Sequence, residues 1–240
     1  MHGHSLTWFS LIPVVRELPA FLSGAIFVGI LLMIMGAVIS LKLKREQTVA
    51  PPDKISFITV IELLVEGIYG FAENIMGKEG KKYVHIVGGL FIFILTCNLL
   101  GMIPGFSAPT GYPTDDFVRS VLISPNFACA ILVYFLYNYY GIKAHGIKYI
   151  KHFAGPLIWL APFMFGVEMI SHLVRPVSLS VRLFANMMAD HTAVGVVSSL
   201  VPVGIPVLFL VLGLVVSFIQ AFIFSLLTMV YIMLATQSEH

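Results

Sequence analysis

Residues 206–235 read PVLFLVLGLVVSFIQAFIFSLLTMVYIMLA, a run without a single charged side chain. A helix needs about 20 apolar residues to cross about 30 Å of bilayer hydrocarbon. Runs of this length and composition are typical of membrane-spanning helices. The run therefore predicts a transmembrane helix, and Gln220 is its only strongly polar side chain.

Four further segments have the length and composition of membrane spans. Of the 240 residues, 58% are hydrophobic and 11% are charged, whereas soluble domains run near ~25% charged. The pattern predicts an all-α integral membrane protein that forms a single membrane domain over residues 1–240. The five predicted transmembrane helices cover about 21–41, 84–103, 117–140, 156–200 and 206–235.

The segment 54–76 has a different pattern, because Glu62, Glu66 and Glu73 recur at helical spacing among Ile, Leu, Val, Tyr and Phe. A helix with one polar face and one apolar face lies in the membrane interface rather than across the membrane. We therefore expect one interfacial amphipathic helix here, in addition to the five spans.

Basic residues are distributed unequally between the loops. Residues 42–82 carry seven lysines and arginines and residues 141–152 carry three, whereas residues 104–116 carry none. Lysine and arginine accumulate in cytoplasmic loops. The distribution predicts that both basic segments are cytoplasmic, with the N-terminus outside and the C-terminus inside.

The fourth span contains six ionisable residues, although a charged side chain is costly at membrane depth. At ~100° per residue, five of them and one amide fall on one side of a helix. This ionisable stripe consists of Glu168, His172, Arg175, Arg182, Asn186 and Asp190. His191 falls on the opposite side, and Pro176 is expected to disturb the helix between the two halves of the stripe.

The length of this region also constrains its orientation. About 40 residues in one helix would extend ~60 Å, twice the hydrocarbon thickness. We therefore expect this helix and the last helix to lie strongly tilted, side by side, against a partner.

Several polar residues have a structural interpretation as well as a functional one. Polar side chains in membrane helices also pair with each other and hold helices together, which suits Glu168 and His172 at i,i+4 spacing. Gln220 and Asn98 can equally be buried hydrogen-bonding residues. Arg175 can extend to the interface or pair with an acid.

Arg182 is the residue that a structural role explains least well. A guanidinium keeps its charge inside proteins, and the nearest acids along the helix, Glu168 and Asp190, lie 14 and 8 residues away. On one straight helix these separations are about 21 and 12 Å. We therefore expect Arg182 to meet a partner on another chain.

Three motifs resemble signatures of the ATP synthase subunit a family. Residues 176–187, PVSLSVRLFANM, resemble the sequence around the family's essential arginine. Residues 219–224, IQAFIF, resemble the last-helix signature, and residues 98–105, NLLGMIPG, resemble a third. The order of the spans also fits, so the resemblance covers essentially the whole chain.

The resemblance implies a proton-translocating stator subunit in the membrane sector, CF(0), of an F-type ATP synthase. Such a subunit provides two half-channels to a rotating ring of c subunits and couples hydrogen ion transport to ATP synthesis. It also implies peripheral-stalk b subunits, other ATP synthase subunits and membrane lipid as partners. The implied location is the cell inner membrane, with the thylakoid membrane as the alternative.

The resemblance also implies roles for individual residues. Arg182 would face the ring between the half-channels. Glu168, His172 and the interfacial helix would line the cytoplasmic half-channel. The outer half-channel would be lined by Asn98, Asp190, His191 and Gln220. The complete set implied in proton translocation is Arg182, Glu168, His172, Asn186, Asp190, His191, Gln220 and Asn98.

One departure from the family pattern concerns the outer half-channel. Many bacterial members have glycine at the position of Asp190 and histidine at the position of Gly213, whereas chloroplast-type members also carry an acid at the Asp190 position. This comparison implies that the titrating group of the outer half-channel lies at Asp190 in this chain. His191 occupies a place where the family commonly has glutamate or histidine.

Other classes of protein fit the sequence less well. A secondary transporter is the alternative function, together with a sodium-coupled version of the same subunit, but no internal repeat supports a transporter. Nothing in the sequence suggests an enzyme by itself, a nucleotide-binding loop, a cofactor, a metal site or nucleic-acid binding. A haem protein would need a second pair of histidines on another span.

Overall fold

The computed structural model describes residues 20–46, 57–103, 121, 124–146, 161–200 and 204–236. Every regular element in these ranges is a helix, which confirms the predicted all-α class. The α-helices are α1 (Ala20–Glu46), α2 (Phe57–Met76), α3 (Val84–Gly101), α4 (Pro125–His145), α5 (Ala161–Leu200) and α6 (Ile205–Thr236). A short 3-10 helix, Gly77–Lys82, joins α2 to α3.

Three of the described helices are long and apolar enough to cross a membrane. They contain the spans Leu22–Leu41, Val84–Gly101 and Ile205–Thr236, which agree closely with three of the predicted spans. Helices α4 and α5 carry more polar side chains, four tyrosines in α4 and the ionisable stripe in α5. Their lower hydropathy is the reason that composition alone does not mark them as spans, and the count of five remains a prediction.

The start of α4 is set by a local cap. The hydroxyl of Ser124 donates to the carbonyl of Val121 at 2.7 Å and accepts from the backbone N–H of Phe127 at 3.4 Å. Pro125 follows at the first helical position, where its missing N–H costs nothing. The helix therefore starts later than the predicted span 117–140. It also ends later than predicted, at His145. Residues 117–120, 122 and 123 lie outside the described residues.

Helix α5 is continuous through Pro176. A proline inside a helix removes one backbone hydrogen bond, and the hydroxyl of Ser178 donates to the carbonyl of Arg175 at 3.0 Å next to it. The described helix begins at Ala161, so residues 156–160 of the predicted span lie outside the described part of the chain.

The core of the described structure lies around α6, which packs against α3, α4 and α5. Phe224 and Ala221 of α6 and Val87 of α3 are fully buried there. Helix α2 contacts α3 and α6, and the ring centroid of Phe71 lies 4.7 Å from that of Phe222 on α6, while Glu62 and Glu66 are exposed. The amphipathic pattern of α2 is therefore present in the structure, although residues 54–56 of the predicted helix lie outside the described residues.

Candidate functional site

The centre of the candidate site is a hydrogen bond between α5 and α6. Nδ2 of Asn186 donates to Oε1 of Gln220 at 2.8 Å. Gln220 is only 4% exposed, so its carbonyl oxygen is satisfied inside the bundle, as buried polar groups require. The structure thus brings together two residues that the sequence placed on different spans.

Helix α3 contributes Asn98 to the candidate site through a contact with α6. Nδ2 of Asn98 donates to the backbone carbonyl of Ser217 at 3.4 Å. Ser217 lies three residues before Gln220, on the same buried face of α6. Its hydroxyl lies 3.8 Å from the sulfur of Met102. Asn98 therefore contacts the backbone of the site, one turn from Gln220, rather than its side chains.

The carboxylate of Asp190 faces Gly213 of α6. A Cβ added at Gly213 would lie 3.6 Å from both Cγ and Oδ2 of Asp190, and 3.1 Å from Cε of Met102. A side chain at position 213 would therefore start in van der Waals contact with the carboxylate and would crowd Met102.

His172 lies at the α4–α5 contact. Its Nδ1 is 2.9 Å from the hydroxyl of Tyr137, and both side chains are buried. Glu168 and His191 lie on the described helix α5, but their side chains are outside the described part of the structure.

Arg182 is exposed near the middle of α5. Among the described side chains the structure gives it no ion pair, and the one ion pair there joins Lys81 to Glu73 at 3.7 Å. The predicted ionisable stripe contains residues of different burial. His172 is buried and Asn186 and Asp190 are half-buried, whereas Arg182 is on the outer edge, because the stripe covers about 80° of the helix circumference.

Sequence reasoning missed the aromatic neighbours of Arg175. The guanidinium lies over the rings of Tyr231 and Tyr137. A tyrosine inside an apolar run looks like an ordinary span residue, so no sequence signal identified these two. Among the described residues no cluster of three His, Cys, Asp or Glu side chains could hold a metal ion.

Comparison with known proteins shows the family to which the chain belongs. The family model described as the ATP synthase A chain matches residues 24–233. The chain belongs to the ATP synthase A chain family. ATP synthase subunit a of Bdellovibrio bacteriovorus is 40% identical over 98% of this chain and 100% of its own length. ATP synthase subunit a 3 of Pelobacter propionicus is 43% identical over 75% of this chain and 74% of its own length.

Membership of the ATP synthase A chain family confirms the resemblance drawn from the three motifs. A third relative, ATP synthase subunit a of Geobacter sulfurreducens, is 37% identical over 75% of this chain and 74% of its own length. The chain is accordingly a membrane-embedded, proton-translocating subunit of the ATP synthase membrane sector that associates with other subunits of that enzyme. It is a non-catalytic subunit, and the alternative of a secondary transporter or a sodium-coupled version is not favoured.

Proposed function

We propose that α5 and α6 carry protons through two offset half-channels, and that Arg182 separates them at the surface of a rotating c-ring. The observation that carries this proposal is the exposure of the Arg182 charge on a helix on which His172 is buried and Asn186 and Asp190 are half-buried. A guanidinium keeps its charge, and a charge at membrane depth is costly without a partner. The described part of the chain supplies no such partner, so a carboxylate on another subunit fits best.

The chemistry follows from the charge of Arg182. A positive charge within about 4–6 Å of a carboxyl group favours the ionised form of that group. A protonated ring carboxyl that approaches Arg182 therefore releases its proton to one half-channel. After it passes the cation, it takes up a proton from the other half-channel. The cation also blocks direct proton transfer between the two half-channels.

The outer half-channel is proposed to run past Asn98, Asp190, His191 and Gln220. Asp190 is the proposed proton relay, since its carboxylate faces Gly213, where the last helix offers no titrating group. The hydrogen bond between Asn186 and Gln220 is proposed to lie at the inner end of this half-channel. The cytoplasmic half-channel is proposed to involve Glu168, His172 and the interfacial helix α2, with His172 oriented by its contact with Tyr137.

The remaining architecture is proposed from the sequence and the family. We infer five transmembrane helices plus the interfacial helix, with α5 and α6 strongly tilted. The N-terminus would be outside and the C-terminus cytoplasmic, in the cell inner membrane or, alternatively, a thylakoid membrane. The c-ring would meet the Arg182 face, and peripheral-stalk b subunits would complete the stator.

The test is replacement of Arg182 in the whole ATP synthase. Arg182→Ala should abolish coupled ATP synthesis and raise passive proton conductance in vesicles carrying the membrane sector alone, while the complex still assembles. Arg182→Lys should be weakly functional at best, because an amine lacks the planar fork and can lose its proton when buried. Ser178→Ala, one turn away and also exposed, is the matched control and should keep ATP synthesis. ATP synthesis near the parent rate in Arg182→Ala would refute the proposal.

A further inference from the structure

Arg175 lies over two tyrosine rings from neighbouring helices. Its guanidinium carbon is 5.1 Å from the ring centroid of Tyr231 on α6 and 6.0 Å from that of Tyr137 on α4. The two tyrosine centroids are 5.9 Å apart. A cation within about 6 Å of an aromatic face is attracted by the ring. One side chain of α5 therefore joins three helices, and we call Arg175, Tyr137 and Tyr231 the arginine clamp.

The arginine clamp lies on the same line along α5 and α6 as the Asn186–Gln220 hydrogen bond. Asn186 lies 11 residues after Arg175, and Gln220 lies 11 residues before Tyr231. Eleven residues correspond to three helical turns plus about 20°, and to about 16 Å along the axis. The two contacts thus define one antiparallel register, and a slip of either helix would disturb both.

We propose that the arginine clamp fixes the register of α5 against α6 and thereby positions Arg182 relative to Gln220. Arg182 lies seven residues after Arg175, which is about 10 Å along α5 and about 20° around it. Since no ion pair with a described side chain holds Arg182, its position depends on where the backbone of α5 lies. Arg175 is thus a positioning residue, and this inference rests on the proposed role of Arg182.

Tyr231 is the best residue to change, because Tyr137 also contacts His172. Tyr231→Leu removes the ring, whereas Tyr231→Phe keeps the ring and loses only the hydroxyl. The matched control is Tyr139→Leu, since Tyr139 is 59% exposed and its similar contact, with Lys143 at 6.0 Å, stays within α4.

The first measurement reports the register without using activity. In whole ATP synthase, the native Cys97 and Cys129 are first replaced by alanine, and cysteines are then introduced at positions 186 and 220. The rate at which a short bifunctional thiol reagent cross-links the two introduced cysteines is measured. Tyr231→Leu should lower this rate roughly fivefold, as expected for loss of a half-buried cation–π contact. Tyr231→Phe and Tyr139→Leu should cross-link at the same rate as enzyme that carries the cysteine pair without a tyrosine substitution. An unchanged rate in Tyr231→Leu would overturn the proposal.

The second measurement reports coupling, in enzyme with the native residues at 186 and 220. Tyr231→Leu and Arg175→Met should each reduce ATP synthesis and increase proton leak, and Arg175→Lys should retain more coupling because it keeps the cation. The double variant should be no worse than the worse single variant, since the two residues act through one contact. The proposal would be overturned if the losses of ATP synthesis in the two single variants added in the double variant. It would also be overturned if a variant with slower cross-linking kept full coupling. If Arg182→Ala fails to uncouple the enzyme, the proposed function fails, and the cross-linking rates still decide whether the clamp sets the register.

Discussion

The hydrogen bond between Asn186 and Gln220 gives a quantitative test of the proposed proton path. Gln220→Leu leaves the amide donor of the half-buried Asn186 without its partner, and Asn186→Leu leaves the acceptor of the 96% buried Gln220 without its donor. Hydrogen bonds between membrane helices average about 0.6 kcal/mol and reach about 1.7 kcal/mol in double-mutant cycles. The coupling energy between these two side chains should fall in this range.

The assay is passive proton conductance through the membrane sector, measured for the parent, both single variants and the double variant. A coupling energy of that size corresponds to a departure from additivity of about threefold to twentyfold. The double variant should therefore conduct better than the product of the two single effects predicts, because it leaves no orphaned amide.

The control cycle pairs Asn186→Leu with Thr236→Val. The hydroxyl of Thr236 bonds to backbone carbonyls of its own helix, at 2.8 Å from Ile232 and 3.2 Å from Met233. Its loss breaks no contact between helices, so this pair should be additive within about 0.5 kcal/mol. The reasoning is refuted if the Asn186–Gln220 cycle is as additive as the control cycle.

Three further predictions address other parts of the chain. Asp190→Asn should slow ATP-driven proton pumping without loss of assembly, and the paired change Asp190→Gly with Gly213→His should retain more pumping because it exchanges the large and small positions; unchanged pumping in Asp190→Asn would exclude a relay there. Single cysteines at Lys44 should react with impermeant thiol reagents from the cytoplasm and those at Asp115 from outside, and the reverse labelling would overturn the orientation. Ser124→Ala should lower the free energy of unfolding by about 1 kcal/mol through loss of the α4 cap, and the melting temperature of the membrane sector should fall. An unshifted melting temperature would show that the cap does not stabilise the chain.

The sequence was most informative where an apolar run is long and uninterrupted. The apolar run 206–235 agrees with α6, Ile205–Thr236, to within one residue at each end, because no charged residue interrupts it. The third span was less predictable. Its start depends on the Ser124 cap and Pro125, which are local signals inside the predicted run 117–140.

From the sequence, residues of the candidate site could be proposed, but their arrangement in space could not. Helical phase placed Asn186 and Arg182 on one side of α5, but phase along one helix does not tell where the neighbouring helices lie. The division between the inward Asn186 and the exposed Arg182 therefore appears only in three dimensions. The same limit applies to the arginine clamp, because a cation over aromatic rings requires three helices that are distant in sequence.

The close approach of Asp190 to Gly213 has a consequence for sequence design. Two positions on different helices share one small volume, since a Cβ at Gly213 would already lie 3.6 Å from the carboxylate and 3.1 Å from Cε of Met102. Libraries that randomise position 213 alone would sample mostly variants that displace Met102 or the carboxylate. Productive combinations should pair a larger residue at one position with a smaller one at the other. A deep mutational scan of the two positions together would therefore show strong pairwise epistasis, concentrated in variants that conserve their summed side-chain volume.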